Sequence, residues 1–381
     1  MPHPRPHGRA RDARRNPRRA PRALLLVTAL LGVLLAGCAS PATTAAHAPA
    51  AAGDRPPLGE LTPLEDPRSW VGEQTAVSAA TPVDPVAQDP QPALPVTVTD
   101  AQGTEVTVTD TSRVLALDLY GSTSRILFEL GLGGSVVGRD ASSDFPEAGG
   151  LPLVTRDGHD LNGEAILDLA PTLIITDTTL GPWDTVLQMR DAGIPVVVVD
   201  SRRDLESVDD LITSVAAAVG LPREGEALAA RTQAEIDAVV ADIERLAPDD
   251  PADRLRVAFL YLRGQAGVFY LFGEGSGAEA LVTALGGVDV AAEIGWQGMR
   301  PVTDEALVAA APDLLLVMTA GLESVGGVDG LLEQLPAVAQ TPAGEHRRVV
   351  DMADSQVLSF GPTSAQTLDA LARAFYAPDA S

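Results

Sequence analysis

The 381-residue chain contains no lysine: all 27 of its cationic side chains are arginine, which with the Ala, Gly and Pro bias points to a GC-rich genome rather than to a function. Positive charge is also scarce against 52 acidic residues, and the formal net charge is −25 at pH 7. So acidic a chain repels nucleic acid and gains nothing from an anionic membrane, which excludes DNA, RNA and polybasic lipid binding. Cysteine is nearly absent: the lone Cys38 can form no disulfide and leaves no thiol nucleophile in the folded part. Of the five histidines only His159 and His346 fall in the folded region, too few for a hydrolytic metal centre. Gly-x-Ser-x-Gly, His-Glu-x-x-His and a dinucleotide Gly-x-Gly-x-x-Gly after a first strand are missing too, so an exported hydrolase is the weakest reading and no enzyme activity is expected.

Long apolar runs are also lacking. Ala23–Leu35 follows an Arg-rich stretch ending at Arg22 and is too short to span a bilayer, so it is expected to be the core of an export signal. It ends in Leu35-Ala36-Gly37-Cys38, which resembles the lipobox of bacterial lipoproteins and implies lipidation of Cys38 after removal of residues 1–37. The pairs Arg14-Arg15 and Arg18-Arg19 leave a twin-arginine route open beside the general one. The leader's eight Arg and one Asp carry +7, which leaves −32 for the rest of the chain. Residues 38–94, rich in Ala, Pro, Thr and Asp without helical or strand period, are expected to be a disordered tether.

From Pro95 the pattern changes to short aliphatic runs alternating with amphipathic segments. Val114–Leu119, Leu173–Thr176, Val196–Val199, Val257–Leu260, Leu314–Met318 and Val349–Met352 are expected strands of largely parallel α/β layers. The longest helical signal, Arg223–Leu246, lies between the two groups of strands and stops before Pro248. The fold expected is α/β, two Rossmann-like lobes joined by a single long backbone helix: an N-terminal lobe over 95–204, a helical connector over 205–248 and a C-terminal lobe over 249–381. The halves repeat weakly. Arg113-Val114-Leu115-Ala116-Leu117 parallels Arg256-Val257-Ala258-Phe259-Leu260, and Glu164 to Pro171 parallels Glu305 to Pro312 at the same spacing. Two similar lobes facing one another make a cleft.

Ligands of open α/β sheets collect beyond the carboxyl ends of the strands, so residues there carry the candidate chemistry. VAFLYLRG, Val257–Gly264, places Tyr261 and Arg263 two apart and hence on one face of a strand. A phenol titrates near ~10 and a neighbouring cation favours its anion, so Arg263 would make Tyr261 a better phenolate. The internal repeat puts His159, in Thr155–Leu161, and Arg300 at equivalent points of the two lobes, both toward the cleft. Haem iron accepts an axial Tyr in some proteins and an axial His in many, so His159 and Tyr261 could clamp one porphyrin from both faces. A strand-end aromatic closing the core with a solvated arginine beside it is the plainer account of Tyr261 and Arg263. His346, between Glu345 and Arg347, reads as a surface residue.

The region from Arg113 to Tyr376 resembles the substrate-binding proteins with two α/β lobes and one backbone helix that serve ABC importers of haem, corrinoids and iron siderophores. Leu117-Asp118-Leu119-Tyr120-Gly121, Gly138-Arg139-Asp140, Gly158-His159-Asp160-Leu161 and Leu260-Tyr261-Leu262-Arg263-Gly264 are similar to the HmuT-type haemin-binding lipoproteins of actinobacteria. The resemblance implies His159 and Tyr261 as axial ligands of haem b, Arg263 hydrogen-bonded to the phenolate, and a monomer that hands haem to an ABC permease and its ATPase. It also implies a protein held to the outer face of the cell membrane only by its N-terminal lipid. A ferric siderophore or corrinoid is the alternative ligand. Arg139, Arg156 and Arg300 are candidates for the propionates. Met318 would lie against the ring, serve as a spare ligand, or sit in the core, and Trp296 would stack on the porphyrin or close the lobe. Glu164 on the N-lobe, and Glu274 or Glu279 on the C-lobe, would meet permease arginines, although glutamates at helix starts also serve the helix dipole.

Overall fold

The computed structural model of the protein describes residues 55–79 and 81–380. The signal peptide, Cys38 and the first part of the tether lie outside the described residues. Fourteen strands are described. β1 (Glu73–Ala76) precedes the hairpin β2 (Val96–Thr99) and β3 (Glu105–Val108), then β4 (Val114–Leu117). β5 (Thr155–Arg156) and β6 (Asp160–Leu161) form a short hairpin, followed by β7 (Leu173–Thr176) and β8 (Val196–Val198). The second half holds β9 (Arg256–Arg263), β10 (Val268–Phe272), β11 (Val288–Asp289), β12 (Met299–Pro301), β13 (Leu314–Met318) and β14 (Val349–Met352).

The N-lobe is built on a parallel sheet in the order β4-β7-β8. Every residue of these three strands is buried, which is why they are continuous aliphatic runs rather than alternating ones. The C-lobe sheet runs β1-β14-β13-β9-β10-β12, with β11 beside the start of β9. Its β1, β14, β13 and β9 are parallel, whereas β10 turns back antiparallel on β9 and is followed by β12. Successive residues of β9 serve different cores: Val257 and Phe259 join the large cluster shared with the backbone helix, and Ala258, Leu260 and Leu262 join a separate one on the other face.

The backbone helix, Pro222–Leu246, begins with a proline at its first turn, where a missing N–H costs nothing, and carries Glu224 and Arg245 at the ends that suit the dipole. Leu228, Thr232, Ile236, Ile243 and Leu246 form its buried stripe. Ala247 is already extended, as the following Pro248 requires. The stripe packs into one apolar cluster that includes Val114 and Ile126 of the N-lobe and Phe259 and Leu316 of the C-lobe. The weak repeat extends to backbone conformation, since Ala170 and Ala311, each the residue before the matching proline, have φ of 42° and 43°.

The described part of the tether differs from the sequence expectation. Residues 55–79 belong to the C-lobe: β1 adds a parallel edge strand to β14, Leu58 is buried in the main cluster, and Trp70 lies 4.3 Å from the buried Arg348 guanidinium. The N–H of Leu64 donates to the Tyr376 carbonyl at 2.8 Å. Beyond this segment the chain runs on the N-lobe, where Arg125 donates to the carbonyls of Thr81 and Pro82, and the Val86 N–H donates to the Glu129 carbonyl. The anchors Leu58 and Trp70 occur singly among prolines and acids, so they make no period. The lobes are therefore joined twice, by this strap and by the backbone helix.

Candidate functional site

Three short loops leave the carboxyl ends of β4, β7 and β8; the first two begin with an acid, Asp118 and Asp177, and the third has Asp200 at its second position. Asp118 is fully buried and accepts from the N–H groups of Tyr120 (2.8 Å), Ser122 (3.2 Å) and Thr123 (2.8 Å), which anchors the start of the helix Ser122–Glu129. Asp177 accepts from the Thr179 N–H at 2.8 Å and from its hydroxyl at 2.5 Å. Arg203, only 4% exposed, reaches Asp177 at 2.7 Å and Asp118 at 3.4 Å. Asp140 accepts from the N–H groups of Asp118 (3.1 Å) and Ser143 (2.7 Å). Burial, and then the Asp118 charge, push the Asp140 carboxyl up to about 7; the same two causes push Asp177 up to about 6 against the opposing pull of Arg203. Tyr120 sits 5.5 Å from the Arg203 guanidinium, and burial raises its phenol.

His159 is carried by the β5–β6 hairpin and is exposed. The hairpin is fastened to the loop after β7: the Gly181 N–H donates to the His159 carbonyl at 3.1 Å, and the Leu161 N–H donates to the Gly181 carbonyl. The His159 ring Nδ1 lies 3.1 Å from the Asp157 carbonyl, which can only accept, so Nδ1 donates there and the neutral ring carries its lone pair on Nε2. That is the tautomer a metal ligand needs. The nearest anion to Nε2 is the Asp160 carboxylate at 3.5 Å.

On the C-lobe, Tyr261 follows Leu260, whose partner Val317 is the second-last residue of β13. The next register places Met318 beside Tyr261 on the same face, and Tyr270 of β10 lies directly opposite. Tyr261 is half-buried and meets Phe272 edge to face, with centroids 6.3 Å apart. Arg263 shares the face, is exposed, and ends the strand before a tight turn. Among the described residues no hydrogen bond or ion pair ties the Tyr261 phenol or the Arg263 guanidinium.

The carboxyl edges of the two sheets face each other. Ser355, just past β14, donates to Asp144 of the N-lobe at 3.0 Å, and the Arg203 carbonyl abuts Gly277 of the C-lobe so closely that a Cβ there would stand 2.5 Å away. His159 lies between β5 and β6 of the N-lobe, and Tyr261 near the end of β9 in the C-lobe.

Among the other expected residues, Arg300 is turned away from the Tyr261 face. Arg300 is paired with Leu271 of β10, a residue of the far core, so it stands on the opposite face from Tyr261; its Nε donates to the Gln297 carbonyl at 3.1 Å. Strand alternation gives the Tyr261 side to its neighbours Met299 and Pro301 instead. Arg139 is half-buried and turns back on its own chain, donating to the Asp140 carbonyl at 3.1 Å. Arg156 is exposed on the His159 hairpin, opposite Asp160. Trp296 packs on the far core and closes the lobe. His346 is half-buried and holds the strap, with Nδ1 3.1 Å from the Arg68 carbonyl. Glu164 and Glu274 are exposed, whereas Glu279 is half-buried and its charge helps raise Asp289.

Sequence reading missed Tyr270 and the Asp118, Asp140, Asp177 and Arg203 network. The signal for the network was an acid directly after the aliphatic runs of β4 and β7, Asp118 and Asp177; Asp140 and Arg203 follow no such run.

The family model for "Periplasmic binding protein" matches residues 118–355. The crystal structure of the heme-binding protein HmuT is 43% identical over 82% of this chain and 99% of that one, with a TM-score of 0.77. Further structures of HmuT carry single alanine replacements of a histidine, of a tyrosine and of an arginine two positions after that tyrosine. The periplasmic heme-binding protein RhuT from Roseiflexus sp. RS-1, in its apo form, is 39% identical over 71% of this chain and 99% of that one, with a TM-score of 0.64. An uncharacterized ABC transporter substrate-binding lipoprotein of Bacillus subtilis (strain 168), YvrC, is 25% identical over 78% of this chain and 90% of its own length.

Proposed function

Because this chain belongs to the periplasmic binding protein family, we propose that it is an extracytoplasmic haem-binding protein that delivers haem to an ABC importer. What supports the reading most is His159 on the N-lobe, its Nδ1 turned to the Asp157 carbonyl, together with Tyr261 and Arg263 on one face of β9 in the C-lobe. A phenolate suits ferric iron, and a guanidinium on the same strand face stabilises the phenolate by charge and hydrogen bonding. In the relatives named for haem, the replaced His, Tyr and Arg repeat this set of types and the Tyr-x-Arg spacing. Met318 and Tyr270, beside Tyr261 on the same face, supply the ring contacts on the C-lobe side.

The carboxyl edges of the lobes form the cleft, and the exposed Glu164 and Glu274 are the acids that meet the permease, one from each lobe. Cys38 carries the lipid that holds the protein at the outer face of the membrane. Among the described residues no helix is long and apolar enough to cross a membrane.

Purified protein mixed with ferric haem tests the reading. A Soret band that forms with the wild type and is changed in His159→Ala and in Tyr261→Ala supports it. No uptake by the wild type, with retention of a ferric siderophore instead, replaces haem with that ligand on the same fold.

A further inference from the structure

We propose that Arg203 is a positioning residue of the haem site: it ties the three strand ends of the N-lobe into one unit, sets the His159 hairpin through it, and braces that unit against the C-lobe. This inference rests on the haem reading of the cleft.

Arg203 follows β8 and is buried, yet its guanidinium makes four donations to three different strand ends. Nη2 reaches the Asp177 carboxylate after β7 at 2.7 Å and the Asp118 carboxylate after β4 at 3.4 Å. Nη1 donates to the carbonyls of Asp200 at 2.6 Å and Arg202 at 3.1 Å, which closes its own loop. A planar fork with five donors can do this; a point ammonium cannot.

The chain of contacts continues outward. Asp177 holds Thr179 by both its N–H and its hydroxyl, and the same hydroxyl accepts from the Leu119 N–H at 3.0 Å, so the loops after β4 and β7 are bonded to each other above the guanidinium. Two residues on, Gly181 bonds by its N–H and its carbonyl to the backbone of His159 and Leu161. The placement of the His159 imidazole is therefore set by a loop whose base is the Asp177–Arg203 pair. A short exposed hairpin with strands of two residues has little rigidity of its own.

The other side of Arg203 meets the second lobe. Its carbonyl would stand only 2.5 Å from a Cβ on Gly277, and Gly277 has a φ of +87° at the start of the helix Ala278–Ala284, so only glycine serves there without strain. The residue that fixes the His-bearing edge also fixes its approach to the Tyr-bearing lobe. Positioning of this kind acts on ligand geometry and residence rather than on ligand identity.

The test loads ferric haem onto wild type, Arg203→Lys and Thr179→Val. It follows the axial-ligand signature by electron paramagnetic resonance and the rate of haem loss to an excess of apomyoglobin, with melting temperature recorded alongside. Arg203→Lys keeps the buried charge and loses the fork. Thr179→Val keeps shape and every buried charge and cuts the link between the loops. The expected result is a signature displaced toward that of His159→Ala and haem loss faster by about 10- to 100-fold in Arg203→Lys, the range over which outer-sphere partners of metal ligands act, with a smaller change in the same direction for Thr179→Val. A lowered melting temperature with wild-type signature and loss within about twofold of wild type in both variants would mean a purely structural ion pair and overturn the inference. Should Arg203→Lys fail to fold, Thr179→Val decides alone: a wild-type signature and rate overturn it, and the displaced signature upholds it. Wild type that takes up no ferric haem fails the reading of the cleft itself, a different result from wild type that binds normally while the variants match it.

Discussion

Tyr261 and His159 are held by different means. The ring of Tyr261 is wedged against Phe272 on a long strand, while His159 depends on main-chain bonds to Gly181. Tyr261→Phe keeps the ring contact and removes only the hydroxyl, so it is expected to abolish the phenolate signature of the ferric complex while changing folding stability by about 1 kcal/mol or less. Urea unfolding beside the visible spectrum checks both halves. A second expectation concerns Asp140 and Asp177. Their folded pKa values, about 7 and about 6, stand above the ordinary 3.8, so these carboxyls hold their protons more tightly folded than unfolded. The stability they contribute is present below the unfolded value and is lost as pH rises through about 6 to 7. The unfolding free energy should fall between about pH 4 and about pH 7, with a slope approaching 1.4 kcal/mol per pH unit for each proton that only the folded state retains, and level off above that; Asp140→Asn should make the fall shallower. A wild-type stability that climbs over that range contradicts the assignment. That Tyr261 and Arg263 share one face of a strand was legible in the sequence, because they are two apart and alternation fixes that relation without knowing the fold. Arg300 was misplaced because the repeat that suggested it does not specify strand register, and one residue of slip moves a side chain to the other face. Arg203 was not legible, since its partners come from three strand ends separated by up to 85 positions.

Among the elements, the aliphatic strands and the backbone helix were readable directly from their periods: Leu314–Met318 and Val349–Met352 agree at both ends, and the helix begins one residue before the expected Arg223. The strand containing Tyr261 runs on to Arg263 instead of stopping at Leu260, because β10 folds back and pairs with it. The strap over 55–79 was not readable. Its hold consists of isolated anchors, a single leucine in the core, one indole over one guanidinium, and four strand residues that pair only with a partner 276 positions later. Such contacts leave no local pattern. Leu58→Ala should cost about 2 to 5 kcal/mol, as deletion of a core leucine does. Removing everything before Thr81 should lower the unfolding midpoint further and expose the edge of β14, which chemical denaturation and light scattering report together. An unchanged midpoint in the truncated protein would show that the strap contributes nothing.

At the scale of the whole molecule, a single apolar cluster running through both lobes and two covalent crossings leave little freedom for the lobes to swing. Solution scattering profiles with and without ferric haem are therefore expected to superimpose closely, and a marked compaction on loading would contradict this. Charge acts over the same scale. With −32 on the chain beyond the leader, the protein repels a haem whose two propionates outweigh its ferric charge, so added salt should speed association by screening. Stopped-flow mixing at low and high ionic strength reads this, and slowing by salt would sink it.

The parallel pairing of β1 with β14 also orders events in time. Glu73 comes off the ribosome early and its partner Val349 near the end. The second lobe can be closed only when nearly the entire polypeptide is out, whatever the first lobe has already done. Until then its outermost strand waits unpaired, guarded by flanking prolines, and the piece of backbone made first is among the last to be built in.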